Sequence, residues 1–149
     1  MRQGLTRFGW SMIAALLLVA QWSQAQGILE LSAGIHRIRA EVVNTYESRA
    51  QGLMNRKNLA ANGGMLFVFD QSAQHCMWMR NTLIPLSVAF LDAQGRIINV
   101  EEMLPQTEDN HCASKPARFA LEMNAGWFKS RGLGQGVALT GIERSPPPM

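Results

Sequence analysis

Cysteine is scarce in this chain. There are two, Cys76 and Cys112, too far apart for the C-x-x-C arrangement that lowers a thiol pKa for redox chemistry. Histidine is scarce as well, and the spacing of His36, His75 and His111 to the cysteines resembles no zinc site. No block of lysine or arginine is present, which excludes the basic footprint of a nucleic-acid-binding surface. None of Ser72, Ser87, Ser114 and Ser130 sits in a nucleophile elbow, and the acids near His111, Glu108 and Asp109, share its polar loop. The adjacent pair Glu101-Glu102 would point to opposite faces of a strand and could not share a substrate. A hydrolase or transferase of unknown substrate is therefore the least supported class.

A long apolar run is also missing. The longest, Met12 to Ala20, follows Arg2 and Arg7 and precedes the small residues Ser23 and Ala25, the layout of a signal peptide with cleavage before Gln26. It is short of the ~20 residues that span a bilayer, so a membrane is expected as a partner only if this segment stays uncleaved as an anchor. The expected organisation is a signal peptide over 1–25, a single domain over 26–144 and a disordered tail over 145–149, in a periplasmic or extracellular protein. Cleavage would leave 149 minus 25, or 124, residues, which suits one domain with one core. The net charge of +3 would lose Arg2 and Arg7 and fall to +1. In an exported protein two cysteines are expected to pair. A Cys76–Cys112 disulfide would stabilise the fold by roughly 4 kcal/mol in the chain-entropy model.

The mature chain is rich in short β patterns. Ile35 to Val43 alternates, with Ile38, Ala40 and Val42 on one side and Arg37, Arg39 and Glu41 on the other. Asn44 and Glu47 resemble a capping box for a short helix carrying Tyr46, Ala50, Leu53 and Met54. Met65 to Phe69 reads as a strand buried on both faces, closed by a loop from Asp70 to Gln74. His75 to Thr82 reads as a strand with Cys76, Trp78 and Arg80 on one face and Met77, Met79 and Asn81 on the other, ended by a bend at Pro85. Leu86 to Leu91 and Arg96 to Met103, joined at Asp92-Ala93-Gln94-Gly95, form the clearest hairpin. Pro105 to Pro116 is a polar loop, Ala117 to Met123 a strand, Asn124 to Arg131 a short helix stopped by Gly132, and Gly136 to Ile142 the last strand. Ser145 to Met149, with three prolines, cannot join a sheet. About seven short strands and two short helices predict a mainly β fold, a jelly-roll-like β-sandwich or a partly closed barrel.

Several motifs then occur together and in order: Arg49-x-x-Gly52-Leu53-Met54-x-Arg56-x-x-Leu59, Gly64-Met65-Leu66-Phe67-x-Phe69, and Trp78-Met79-x-Asn81-Thr82-x-x-Pro85-Leu86. They continue through Phe90-x-Asp92-x-x-Gly95, Pro105, Leu121-Glu122, Gly126, Gly132 and Gly136. From about Thr45 to Ile142 the chain resembles the domain of unknown function 192 family, also called uncharacterised protein family 0127. The resemblance implies a compact, β-rich, jelly-roll-like domain, often exported in bacteria, and brings no established reaction with it.

Two constellations could carry function. The first is polar: Arg49, Arg56, Arg80, Asn81, Thr82, Asp92 and Glu122 could converge at a strand end and bind a small ligand, since guanidinium offers a rigid fork of donors. The same arginines could equally cap carbonyls or pair with Glu122, holding helix to sheet, with Asn81 and Thr82 satisfying the Pro85 bend. The second is sulfur-rich: Met77 and Met79 with His75 could hold copper(I), for which thioethers are soft ligands, although methionine is an ordinary filler of small cores. Trp127 and Phe128 are adjacent, and on a regular helix only one could face inward, leaving the other for a protein partner. The expected role is an exported, non-enzymatic domain binding a small ligand or protein partner, with no cofactor; a soft-metal copper protein is the alternative.

Overall fold

The computed structural model describes residues 27–149; the expected signal segment falls outside them. The fold is mainly β. Among the described residues nine strands form, β1 (Ile28–Ala33), β2 (His36–Val43), β3 (Gly63–Ala73), β4 (Cys76–Met77), β5 (Leu86–Leu91), β6 (Ile97–Met103), β7 (His111–Cys112), β8 (Ala117–Asn124) and β9 (Leu139–Thr140), with one α-helix, α1 (Tyr46–Gln51). Seven strands make one curled sheet in the order β6-β5-β8-β3-β2-β1-β9, and β4 with β7 makes a separate ribbon. Only β2 and β3 are parallel, and the segment carrying α1 is their crossover. Of the two expected forms, the sheet takes that of the partly closed barrel. Its closure is local: β9 pairs with β1, while Val137 O accepts from Ile97 N at 2.8 Å and Gly136 N donates to Ile97 O at 2.8 Å. Residues 136–140 thus touch both ends of the curl.

Both faces of the sheet are buried, and the alternation along each strand decides which side chain goes where. On β3, Leu66 and Val68 join one core with Ile38, Leu121, Trp127 and Phe128. Met65, Phe67 and Phe69 join the other with Leu53, Val88, Phe90 and Met79. Glu122 on β8 lies opposite Met65 of β3 and Val88 of β5, and so belongs to this second face. The β3–β8 pair approaches closely there: a Cβ at Gly64 would come within 2.7 Å of Glu122 O, so no larger residue fits.

The hairpin β5–β6, strand β8, and the buried character of Met65 to Phe69 are as expected from the sequence. Four local expectations are corrected. Helix α1 is capped by Thr45 rather than Asn44: Thr45 Oγ1 accepts from Ser48 N at 3.1 Å and Ser48 Oγ accepts from Thr45 N at 3.1 Å, a box closed by a hydroxyl in place of Glu47. Strand β3 continues past Asp70 to Ala73, because a bulge lets Ala73 resume pairing at Ala117. The segment from His75 to Thr82 is not one strand. Exposure alternates as expected up to Arg80, yet only Cys76 and Met77 pair, and the chain then turns, with Thr82 N donating to Met79 O at 3.0 Å and Asn81 held at φ 55°. The last strand shrinks to Leu139–Thr140, since Gly136 and Gly141 take left-handed conformations (φ 86° and 92°) that a strand does not tolerate.

The two aromatics, Trp127 and Phe128, correct the helical reading in a further way. Both are buried, because residues 125–131 form turns and a single 3-10 turn (Lys129–Arg131) rather than a regular helix. Trp127 Nε1 donates to Asn62 Oδ1 at 3.2 Å, and Arg131 stacks over the indole at 4.3 Å. Neither ring is left for a partner. The tail also has contacts: Met149 N donates to Asn44 O at 2.8 Å, and Asn44 Nδ2 to Pro147 O at 2.7 Å. Among the described residues no helix is long and apolar enough to cross a membrane.

Candidate functional site

Over the second face of the sheet the cover is thin. A six-residue helix and a two-by-two-residue ribbon lie above β3 and β8, too little to fill the space. What remains is a pocket of about 360 Å³, walled by α1 on one side and by the segment His75 to Trp78 on the other. Its walls carry Phe67, Phe69, Tyr46 and Trp78 and the thioethers Met54 and Met77, while Glu122 and Thr82 supply polar atoms. The ribbon is fastened by the expected disulfide: Cys76 and Cys112 lie directly opposite across β4–β7, with the sulfurs 2.02 Å apart.

Glu122 is the unusual group. It is 4 % exposed, lies among apolar neighbours, and none of the described side chains pairs with it. Burial alone pushes its carboxyl up to about 8, because removal from water penalises the charged form and no positive group offsets that penalty. At neutral pH it is a neutral acid, offering one donor and one acceptor toward the pocket.

Arg49, His75 and Thr82, also in the lining, have bonds of their own. Arg49, on α1, donates through Nη1 to Asn44 O (2.8 Å) and Val68 O (3.0 Å), and through Nη2 to Asp70 Oδ1 (3.0 Å). It ties helix to sheet, as one reading of the sequence anticipated, but its acid is Asp70 rather than Glu122. The His75 ring stacks on Phe69 at 3.7 Å between centroids, and its Nε2 lies 3.0 Å from Gln71 O. Thr82 is buried, and its hydroxyl donates only a long bond to Arg80 O, at 3.4 Å.

The polar residues singled out from the sequence therefore separate. Arg49, Thr82 and Glu122 share the pocket. Arg56 lies elsewhere, in a bidentate pair with Glu41 (3.0 and 2.5 Å) that raises its pKa further. Arg80 is exposed, 5.6 Å from the Trp78 ring and 3.6 Å from Glu108. Asn81 is a turn residue whose carbonyl accepts from Asn55 N at 2.9 Å. Asp92 holds the hairpin turn, its Oδ1 accepting from Gln94 N and Arg96 N at 2.9 Å each. The sulfur set separates too: Met77 and His75 line the pocket, while Met79 is fully buried in the core. Sequence reasoning missed the pocket's aromatic wall, although Phe67 and Phe69 sit two apart on a strand and so share a face. Among the described residues no cluster of three or more His, Cys, Asp or Glu side chains is placed to hold a metal ion.

The family DUF192, described as "Uncharacterized ACR", matches residues 21–141. The chain belongs to this family. No curated protein matches it at a significant level. Two crystal structures are similar to this DUF192 chain. A protein of unknown function from Novosphingobium aromaticivorans is 31 % identical, with a TM-score of 0.72 over 75 % of this chain and 84 % of that one. A protein from Sinorhizobium meliloti described as a "putative transcription regulator" is 33 % identical, with a TM-score of 0.70 over 76 % of this chain and 92 % of that one.

Proposed function

We propose that this DUF192 chain is an exported, non-enzymatic domain that takes a small ligand into the pocket over Glu122. The observation that carries the reading is the carboxyl of Glu122, which is 4 % exposed, lines the cavity, and has no hydrogen-bond partner among the described residues. A buried polar group left unpaired costs free energy, and a ligand that satisfies it recovers that cost. The cavity falls in the size range of small-molecule sites, and its lining sets aromatic and thioether side chains beside polar and charged ones. Binding is favoured over hydrolysis or transfer because, among the described residues, the lining holds no serine and its one cysteine is locked in a disulfide. Export is supported by the signal-like layout of residues 1–25 and by the disulfide. The regulator description belongs to the Sinorhizobium protein; with a net charge of +1 after Arg2 and Arg7 are removed from +3 and no block of lysine or arginine in the sequence, nothing in this chain's charge supports it.

Methionine methyl groups provide the test. In protein labelled at these methyls, a fragment set spanning neutral, anionic and cationic molecules is expected to shift Met54 and Met77, which line the pocket. Met123, which is buried in the opposite core, should not move. If no fragment of any charge shifts Met54 or Met77, the pocket is not a ligand site.

A second reading rests on one observation, that Met54, Met77 and His75 line the same pocket. Two thioethers and an imidazole would suit copper(I). Protein from the exported fraction would then bind copper(I) stoichiometrically and lose it in Met77→Leu; retention in that variant, or no uptake on loading, removes the idea.

A further inference from the structure

We infer that the ligand is an organic cation, an ammonium carried on an apolar or aromatic body, whose charged head pairs with Glu122 while its body lies against the aromatic wall. The inference rests on the ligand-binding reading above and adds the ligand's charge.

Among the described residues the pocket has acidic capacity, and its one arginine is already bound. Its charged and titratable groups are Arg49 and Tyr46 from α1, Asp70 from β3, His75 from the turn before β4, and Glu122 from β8. The cross-strand neighbours of Glu122, Met65 and Val88, are apolar. The guanidinium of Arg49 is already bound by Asp70 and two carbonyls, so an anionic ligand would find two carboxyls and no free cation. A neutral ligand could use the donor and acceptor of Glu122 but would gain nothing from the ring faces beyond contact. A cation gains from both, because Tyr46, Phe67, Phe69 and Trp78 line the same pocket and aromatic faces are negative, an attraction that strengthens where water is excluded; His75 already covers one face of Phe69, and Arg80 lies 5.6 Å from the Trp78 ring. The cation also supplies the opposite charge whose absence keeps the carboxyl protonated. Pairing therefore expels the Glu122 proton to solvent: the ammonium keeps its own proton, and one hydrogen ion is released for each ligand bound.

Three probes of matched shape separate the charge classes: 2-phenylethylammonium, 2-phenylethanol and 3-phenylpropanoate, titrated calorimetrically into the full-length protein. The ammonium is expected to bind at least ten times more tightly than the other two. Its affinity should rise close to tenfold per pH unit between pH 6 and 7.5, with about one proton released when two buffers of different ionisation heat are compared. Glu122→Gln, which keeps the shape and removes the charge, should abolish both the pH dependence and the preference, leaving Met123 and Trp127 signals unchanged as proof of folding. Equal or tighter binding of the alcohol or carboxylate, or ammonium binding that is insensitive to Glu122→Gln, overturns the cation while leaving the pocket as a ligand site if Met54 and Met77 shift. Absence of ammonium binding also overturns it, and the fragment set then decides the pocket separately.

Discussion

The two faces of the sheet are made by the same strands and finished differently. On one, Trp127, Phe128, Leu139 and Ile142 close over the strands and the core is continuous. On the other, α1 and the β4–β7 ribbon cover only part of the surface, and the uncovered part holds Glu122. The strand alternation is equally regular on both, so the difference comes from what the connections can reach. A turn segment bearing two large aromatics fills its face. A six-residue helix with no buried residue of its own does not. The lesson is that in a two-faced sheet the stability of the fold can be concentrated on one side, leaving the other free to keep a polar group that lowers stability.

This contrast can be broken by substitution. The largest effect is expected in the sealed core: Phe128→Ala should cost about 4 kcal/mol in urea unfolding, and Phe69→Ala about 1 kcal/mol less because its ring already borders open space. Equal costs would mean the two faces are packed alike. Next comes the fastening of the open face. Replacing Cys76 and Cys112 together by serine should cost roughly 4 kcal/mol, and neither cysteine should be alkylated in the unreduced native protein.

The pH dependence of stability sharpens the comparison further. The Glu122 carboxyl is raised from the usual 4.5 to about 8 by burial, so between those values the folded chain holds a proton that the unfolded chain has released. Stability therefore falls as pH rises through this window and levels off above it. Relative to Glu122→Gln, wild type should lose on the order of 3 kcal/mol between pH 5.5 and 8, at about 1.4 kcal/mol per pH unit. Parallel thermal midpoints for the two proteins across that range would show that Glu122 is solvated rather than buried. The smallest effect belongs to the helix above the pocket: Thr45→Ala removes its cap and should cost about 1 kcal/mol, with no change at Phe128 or Trp127.

Much of this was legible in the sequence for identifiable reasons. The hairpin carries a tight turn between two apolar runs, and Asp92 makes the turn bonds its type predicts. The disulfide follows from two cysteines and an export-like leader. Elsewhere tertiary context prevailed over pattern. Asp70 to Gln74 looks like a loop because it is polar, yet Ala73 finds a partner in Ala117. Met77, Met79 and Asn81 alternate like a strand although a turn forms, because Met79 is drawn into the core while Asn81 accepts a left-handed backbone. The pocket was hidden because its lining is drawn from separated segments; of its members Arg49, His75, Cys76, Met77, Thr82 and Glu122 stood out, each by chemistry rather than position. Glu122 was visible as one acid in an apolar strand, but whether Arg49 reached it depended on Asp70, which lay nearer.

The contact of residues 136–140 with both the β1 edge and the start of β6 makes the curl of the sheet depend on one late segment. Until that segment arrives, the edges facing it have backbone groups without partners, which invites pairing with another molecule. Closure of the curl thus waits on residues 136–140. Shortened products that end before residue 136 should self-associate through the open edges rather than persist as monomers.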